Sequence, residues 1–306
     1  MTPGRPLWNP PCTARSEALG EVVAGTAPPE RRWLVIEQPG AWGHGALRES
    51  DLPLDVAEEL AARAEARGMR LQLVRRRLGR ADPGARRVAM LACVEPSDPF
   101  LEEVEIGDPR ELLDLDLDAF AAGTPTGAGR LLDRPRWLVC THGTKDPCCS
   151  KRGLPVLGRL RSVVGDRSWH SAHLGGDRFA ANVAVLPLGL VFGRVPADAV
   201  EELVEEVDAG RLPLELLRGR GGWPKPAQVA ELAVRRADDL RDADAVTPVD
   251  VTADDGDHVV TLRAPNGLVT VRLHHAPTGT LRPVSCRADE ETDPGAWTVL
   301  SVSGAA

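Results

Sequence analysis

The 306-residue chain contains almost no lysine, only six cysteines and no long apolar run. Three of its 37 basic residues are lysines (Lys145, Lys151 and Lys225), and the rest are arginines, a bias typical of a GC-rich bacterial genome. No segment reaches the roughly 18 consecutive apolar residues that a membrane-spanning helix requires, so we expect no contact with a membrane.

The start of the chain also lacks the apolar core of a secretion signal, because residues 1–12 are rich in proline. We therefore expect a cytoplasmic protein. The net charge is −8, and the densest basic run, residues 70–80, is balanced by aspartate-rich stretches, which argues against a nucleic-acid partner. The length predicts about two domains, and a hydrophobic fraction of 42% allows them sizeable cores.

Cysteine is scarce but clustered. Three of the six cysteines lie within ten positions, at Cys140, Cys148 and Cys149, and His142 lies among them. Cytosolic thiols stay reduced, so such a cluster is expected to bind metal or to do redox chemistry rather than to form disulfides. The Cys-x-x-Cys motif of thiol oxidoreductases is missing, and an adjacent pair replaces it poorly, so this function ranks below metal binding.

Hydrophobic patterns predict the same order of elements twice: strand, helix, three strands, helix. The first copy has predicted strands at 33–37, 70–74, 87–93 and 100–106, and helices at 55–67 and from Pro109, with Asp108 as N-cap. The second copy has predicted strands at 137–140, 169–173, 183–187 and 190–194, and helices at 150–163 and 196–207.

A strand–helix–strand unit followed by a hairpin and a closing helix is typical of the thioredoxin-like arrangement. The sequence therefore predicts an α/β fold with two tandem thioredoxin-like units, at 12–120 and 130–222. The glycine-rich residues 121–129 read as a flexible linker between them. The first unit has a single strand cysteine, Cys93, and we expect it to be a scaffold without a metal site.

The chain changes character after the second unit. Residues 226–240 predict an amphipathic helix, and strands are expected at 258–263, 268–273 and 297–302. The pair Asn266-Gly267 is a strong hairpin signal between the first two of these strands. Residues 223–306 are therefore expected to form a small α+β appendage.

The candidate ligands are expected at one edge of the second unit's sheet. Cys140 ends a predicted strand, Cys149 lies near a helix start that favours the thiolate, and His173 ends the next strand. Gly175-Gly176 allows a sharp turn toward Asp177. These residue types suit zinc or an iron–sulfur cluster.

The motif Cys140-x-His142-x-x-Lys145-Asp146-x-x-Cys149, followed by His173-x-Gly175-Gly176-x-Arg178-Phe179-Ala180, resembles the sucrase/ferredoxin-like family. The metal-bearing unit of that family is a thioredoxin-like ferredoxin. Further resemblance lies in residues 19–28, 37–43 and 217–220, and the whole resemblance spans residues 12–233.

This resemblance implies a [2Fe-2S] cluster used for electron transfer or redox sensing, with an unidentified redox partner. It favours an electron carrier over a catalyst. The family's two cysteine ligands correspond to Cys140 and Cys149, and its first histidine to His173. Its second histidine position holds Asp177 here. The resemblance also implies that Lys145, Gly175, Gly176 and Arg178 lie beside the cofactor.

The sequence leaves several alternatives open. Asp177 is a fourth ligand that lowers the reduction potential, or Cys148 is the fourth ligand and Asp177 hydrogen-bonds to the site. A chain of this family that has lost the cluster is a third alternative. Zinc held by Cys140, Cys149, His173 and one of Asp177, Cys148 or His142 is a fourth. No carboxylate pair indicates a sugar-cleaving enzyme.

Overall fold

The computed structural model describes residues 8–78 and 86–304 and shows a mixed α/β protein with a large curled sheet. The first part of the chain contains α1 (Cys12–Ala18), β1 (Arg32–Glu37), α2 (Leu54–Ala66), β2 (Arg70–Arg75), β3 (Arg87–Cys93), β4 (Phe100–Ile106) and α3 (Leu117–Ala121). The second part contains β5 (Arg130–Leu131), β6 (Arg136–Cys140), α4 (Pro147–Val164), β7 (Ser168–Ser171), β8 (Val183–Leu186), β9 (Leu190–Phe192), α5 (Val200–Asp208) and β10 (Leu217–Arg220). The expected α/β class is confirmed.

All ten of these strands form one sheet, in the order β10-β9-β8-β6-β7-β2-β1-β3-β4-β5. Strands β1 and β2 are parallel, and β3 joins β1 antiparallel and then pairs with β4. The second part repeats this connectivity with β6 and β7 parallel, β8 antiparallel to β6, and β9 paired with β8. The predicted repetition of strand order therefore has a direct counterpart in the sheet.

The two parts of the sheet meet where β2 pairs antiparallel with β7. The paired residues are Val74 with Ser171 and Arg75 with His170, at the carboxyl ends of both strands. Because the strands overlap only there, the carboxyl ends of the two parallel pairs lie side by side in the middle of the sheet. One buried cluster, which includes Trp33 from β1 and Trp169 from β7, spans this junction.

Helix α4 begins earlier than the sequence predicts, at Pro147 rather than at residue 150. The Asp146 carboxylate accepts a 2.7 Å hydrogen bond from the backbone N–H of Cys148 and caps the helix. Proline at the first helical position suits this start, because its missing N–H would have no partner inside the helix. The early start places Cys148 and Cys149 together in the first turn.

The interior of α4 packs closely on β6. A Cβ atom on Gly153 would lie 2.2 Å from the backbone oxygen of Cys140, so only glycine fits this crossing. Farther along, Val156, Leu160 and Val164 recur at helical spacing and pack against the sheet. The close approach at Gly153 fixes the distance between the strand that carries Cys140 and the helix that carries Cys149.

Two other predicted segments differ in detail. The helix expected from Pro109 is a short 3₁₀ helix, Pro109–Asp114, although Asp108 caps it as expected. The segment expected to be a flexible linker is held by Glu102, whose carboxylate accepts hydrogen bonds from the backbone N–H groups of Thr126 (2.7 Å) and Gly129 (3.1 Å). The connection between the two parts is therefore attached to β4.

The C-terminal region contains α6 (Lys225–Asp238), β11 (Thr247–Asp254), β12 (Asp257–Ala264), β13 (Gly267–Ala276) and β14 (Ala296–Gly304). These four strands form a separate antiparallel sheet in sequential order, and α6 packs on it with its own buried cluster. Strand β11 was not predicted, because it lies at the sheet edge and most of its side chains are exposed or half-buried. Within the described ranges, no helix combines the length and apolarity needed to cross a membrane.

Candidate metal centre

Four of the predicted ligands come together at the carboxyl ends of β6 and β7. Donor atoms of Cys140, Cys149 and His173 all lie within 4.8 Å of one another. Oδ1 of Asp177 joins them, at 3.1 Å from Sγ of Cys149 and 2.9 Å from Nδ1 of His173. We call these four residues the histidine-bearing group.

Each member is positioned by a different element. Cys140 is the last residue of β6, and its backbone N–H donates a 3.0 Å hydrogen bond to the carbonyl of Asn182. Cys149 lies in the first turn of α4. His173 follows β7 by two residues, and Asp177 begins a short 3₁₀ helix after the glycine turn.

Three of the four members of the histidine-bearing group are buried. Cys140, Cys149 and Asp177 are almost inaccessible, whereas the His173 side chain is 31% exposed. Nδ1 of His173 is buried and lies 2.9 Å from Oδ1 of Asp177. A buried ring nitrogen beside a carboxylate, on a side chain grouped with two thiols, fits a metal ligand.

The pKa values of the two thiols of this group move in opposite directions. A hydrogen bond from Cys149 outweighs burial and, together with His173, holds the pKa of Cys140 well below its usual range. That same hydrogen bond, with burial, raises the pKa of Cys149. Burial alone would lower the pKa of His173, but its contacts with Asp177 and Cys140 raise it to about 9. A metal ion would replace these protons as the positive charge among the donors.

The glycine turn behind the group is held by a buried arginine. Gly175 and Gly176 adopt φ values of +89° and +73°, which favour glycine. Arg218 is 2% exposed and donates 2.9 Å hydrogen bonds to the carbonyl of Gly175 and to Oδ1 of Asn182. Burial lowers the pKa of Arg218 to about 9. A Cβ atom on Gly176 would lie 2.7 Å from the Arg218 guanidinium, so a side chain at position 176 would displace this arginine.

The remaining two residues expected beside the cofactor, Arg178 and Lys145, have partners outside the donor set. Arg178 pairs with Glu21 at 2.7 Å, and Glu21 also binds Arg282 at 3.0 Å. Lys145 is half-buried on the turn between β6 and α4, where its backbone N–H donates to the carbonyl of His142. Neither Arg178 nor Lys145 belongs to the donor set of the histidine-bearing group.

The other two histidines near the motif are bound elsewhere. Nε2 of His142 lies 2.8 Å from the carbonyl of Gly43, and its ring meets the edge of Trp42 at 5.8 Å. Nδ1 of His170 lies 3.0 Å from the hydroxyl of Thr141, and burial lowers the pKa of His170 to about 4. Neither ring reaches the histidine-bearing group.

Cys148 faces a second group of thiols. Its Sγ lies 3.4 Å from Sγ of Cys286 and 3.7 Å from Sγ of Cys12, and Cys12 and Cys286 are 3.4 Å apart. Asp146 completes this set, which we call the three-cysteine group. Because Cys148 contacts these residues, the structure does not place it as the fourth member of the histidine-bearing group, contrary to the alternative that the sequence left open.

Sequence reasoning missed Cys12 and Cys286 as partners of Cys148. They lie 274 positions apart, and no local spacing connects them with the central motif. One signal in the sequence was available. The family pattern uses Cys149 as a ligand but gives no role to the adjacent Cys148, so another partner for Cys148 could have been sought among the remaining cysteines. All six cysteines are buried, and none forms a disulfide.

Comparison with known proteins supports the family indicated by the motifs. The sequence profile described as Sucrase/ferredoxin-like matches residues 23–219. A solved structure, a thioredoxin-like [2Fe-2S] ferredoxin from Aquifex aeolicus, aligns with 19% identity and a TM-score of 0.27, covering 30% of this chain and 97% of that chain. That score is too low to support a conclusion. No curated protein matches the sequence. Because the profile spans more than half of the chain and contains the whole histidine-bearing group, the chain belongs to the Sucrase/ferredoxin-like family.

Proposed function

We propose that the protein holds a [2Fe-2S] cluster at the histidine-bearing group and serves in electron transfer or redox sensing. The observation that carries this proposal is the convergence of two buried thiols, one imidazole nitrogen and one carboxylate oxygen at the edge of the sheet. Thiolates and imidazoles are the ligands that iron–sulfur clusters use in proteins. The proposed ligands are Cys140, Cys149, His173 and Asp177.

The choice of Asp177 as fourth ligand follows from its contacts. It lies within 3.1 Å of both Cys149 and His173, whereas Cys148 is occupied by the three-cysteine group. A carboxylate adds negative charge where the family pattern has a neutral imidazole. It therefore stabilises the oxidised cluster and lowers the reduction potential.

Exposure indicates where a redox partner would approach. His173 is the accessible member of the group, and Arg70 donates a hydrogen bond to its carbonyl. We propose that electrons enter or leave at this edge, in contact with an unidentified cytoplasmic partner. The group's burial elsewhere would protect the cluster from water.

For the fold, we propose that the repeated connectivity represents two tandem thioredoxin-like units at 12–120 and 130–222, with an appendage at 223–306. The first unit has no counterpart of the histidine-bearing group among its described residues, although Cys12, its first residue, belongs to the three-cysteine group. The two units share one sheet and one buried cluster, so they would act as a single structural body.

The test is anaerobic purification followed by absorption spectroscopy and by iron, sulfide and zinc analysis. The proposal expects a coloured protein with iron and acid-labile sulfide in equal amounts. His173→Ala should remove the colour, whereas the matched variant His142→Ala should keep it, because His142 binds Gly43 instead. An iron-free wild-type protein, or colour that survives His173→Ala, would contradict the proposal.

Zinc is a second candidate for this site, favoured by the compactness of the donors. Donor atoms of Cys140, Cys149 and His173 within 4.8 Å of one another are close enough to share a single tetrahedral ion. A colourless protein in which zinc is lost in His173→Ala and kept in His142→Ala would identify this function. Thiol oxidoreductase activity has no comparable support, since Cys140 and Cys149 are buried away from any substrate disulfide.

A further inference from the structure

The three-cysteine group joins parts of the chain that are remote in sequence. Cys12 opens α1, Cys148 lies in the first turn of α4, and Cys286 belongs to the segment between β13 and β14. Their Sγ atoms form a triangle with sides of 3.4, 3.4 and 3.7 Å. Such an arrangement requires the two ends of the chain to return to one helix terminus.

The triangle does not fit disulfide chemistry. A disulfide brings two sulfurs to about 2.05 Å and would leave the third thiol unpaired, whereas the three thiols here are almost equidistant. Two sulfurs bound to the same tetrahedral zinc ion, with Zn–S bonds of about 2.3 Å, lie about 3.8 Å apart. The observed separations are close to that edge length.

A fourth donor is present and is held in place. Oδ2 of Asp146 lies 3.8 Å from Sγ of Cys12. It accepts hydrogen bonds from the hydroxyl of Ser285 (2.8 Å) and from the backbone N–H of Cys286, and Oδ1 accepts from the backbone N–H of Cys148. Hydrogen-bond donors to a ligating carboxylate fix its orientation and are typical of metal sites in proteins.

The surroundings also favour a thiolate at Cys148. The backbone N–H of Cys12 points at Sγ of Cys286 at 3.3 Å, and the hydroxyl of Thr13 lies 3.4 Å from Sγ of Cys148. Cys148 lies at the N-terminal end of α4, where the helix dipole stabilises negative charge. The three thiols are 0–4% exposed, so they form a closed site without an open position for substrate.

We propose that the three-cysteine group binds a structural Zn²⁺ ion through the thiolates of Cys12, Cys148 and Cys286 and the carboxylate of Asp146. Binding releases the thiol protons to solvent and needs no change of oxidation state. Cys12 and Cys286 lie outside residues 23–219, which the family profile matches, so the site does not follow from family membership. The ion would join both ends of the chain to the helix that carries Cys149.

The test compares zinc content in variants of the full-length protein purified with Zn²⁺ present. The wild-type chain should hold about one zinc ion at this site. Cys12→Ser and Cys286→Ser should each lower the zinc content by that one ion, while metal at the histidine-bearing group remains. Cys93→Ser is the matched control, because Cys93 is buried in β3 with its thiol directed at the carbonyl of Asp98, and its zinc content should equal that of the wild type.

Cys140→Ser distinguishes the two groups. It should remove metal from the histidine-bearing group and leave the zinc of the three-cysteine group, so either proposal can fail without the other. Zinc content that is unchanged in both Cys12→Ser and Cys286→Ser, or wild-type protein that takes up no Zn²⁺ at this group, would overturn the inference.

A second measurement does not depend on variants that may fold poorly. In wild-type protein loaded with Zn²⁺, peptide mapping after alkylation should show Cys12, Cys148 and Cys286 protected together. A zinc chelator should then make all three reactive, because the ion no longer holds the thiolates. A disulfide between any two of them in anaerobically purified protein, or reactivity that does not respond to the chelator, would contradict a zinc site.

Discussion

Cys148 and Cys149 are adjacent in sequence, yet their thiols belong to different groups. Sγ of Cys148 lies 3.4 Å from Sγ of Cys286, and Sγ of Cys149 lies 3.1 Å from Oδ1 of Asp177. Consecutive residues on a helix point about 100° apart, so one turn of α4 can supply both groups. The two proposed metal sites therefore share a helix terminus.

The position of that terminus can be tested with two glycines of the same helix. A Cβ atom on Gly153 would collide with the backbone oxygen of Cys140, whereas one on Gly158 would meet nothing within 4 Å. Gly153→Ala should lower the free energy of unfolding by about 1–3 kcal/mol and reduce metal retention, because α4 must move away from β6. Chemical denaturation and metal analysis measure both effects.

Gly158→Ala is the matched control for this change. It should raise the free energy of unfolding by about 0.5–1 kcal/mol, since alanine has the higher helix propensity and no clash opposes it. Equal effects of the two substitutions would show that the crossing at Gly153 is not tight.

The fourth ligand of the proposed cluster can be tested by Asp177→His, which restores the family's two-histidine pattern. Replacing the carboxylate by a neutral imidazole should raise the reduction potential on the order of 100 mV, because the negative charge at the iron decreases. Redox titration followed by absorption measures the shift. An unchanged potential with an intact cluster would mean that Asp177 does not ligate iron.

Arg218 should be needed for the geometry of the glycine turn. Arg218→Lys removes the planar donor set that reaches Gly175, Asn182 and Thr26, and should lower the free energy of unfolding by about 2–4 kcal/mol. Arg211→Lys is the control, because Arg211 forms a surface pair with Glu206 and should change the stability much less. Similar losses in both variants would refute a special role for Arg218.

Glu21 should make stability depend on pH. Burial opposes its ionisation, but Arg282 and Arg178 outweigh burial and lower the pKa of Glu21 below its ordinary value of 4.5. The stabilisation is therefore complete above pH 4.5 and is lost as the pH falls through the lower, folded-state pKa. Glu21→Gln should cost about 2 kcal/mol at neutral pH, and this difference should shrink in acid.

Denaturation curves at a series of pH values measure this effect. Glu17→Gln is the control, since Glu17 pairs with Arg152 at a half-exposed position and should matter little at any pH. A constant difference between wild type and Glu21→Gln across the acidic range would contradict the assignment.

Much of the fold was predictable because local hydrophobic patterns indicate most of the helices and strands. The strands β3 and β4 were predicted with the bounds that the structure has, since β3 is an apolar run after Arg87 and β4 mixes apolar residues with glutamates in a short segment. The start of α4 was missed by three residues, because proline at position 147 reads as a break unless Asp146 is recognised as the cap. Short edge strands such as β5 carry too few residues to produce a periodic signal.

The candidate site also contains a part that the sequence predicted and a part that it did not. Convergence of Cys140, Cys149 and His173 followed from their positions at the ends of consecutive elements of one unit. The partners of Cys148 could not be derived, because their proximity depends on how both chain ends fold back. Neither the profile nor the spacing of residues contains that information.

The antiparallel junction of β2 with β7 has a consequence for dissecting the protein. It brings the loop after β1 against the motif, where the carbonyl of Gly43 and the edge of Trp42 meet the ring of His142. The part of the sheet that contains β1–β4 thus contributes a loop that packs on the loop of the motif. A fragment cut out between residues 130 and 222 would keep every proposed iron ligand and lose this contact with His142. Its spectrum and redox behaviour would therefore describe a motif loop without its packing partner, not the loop of the intact chain.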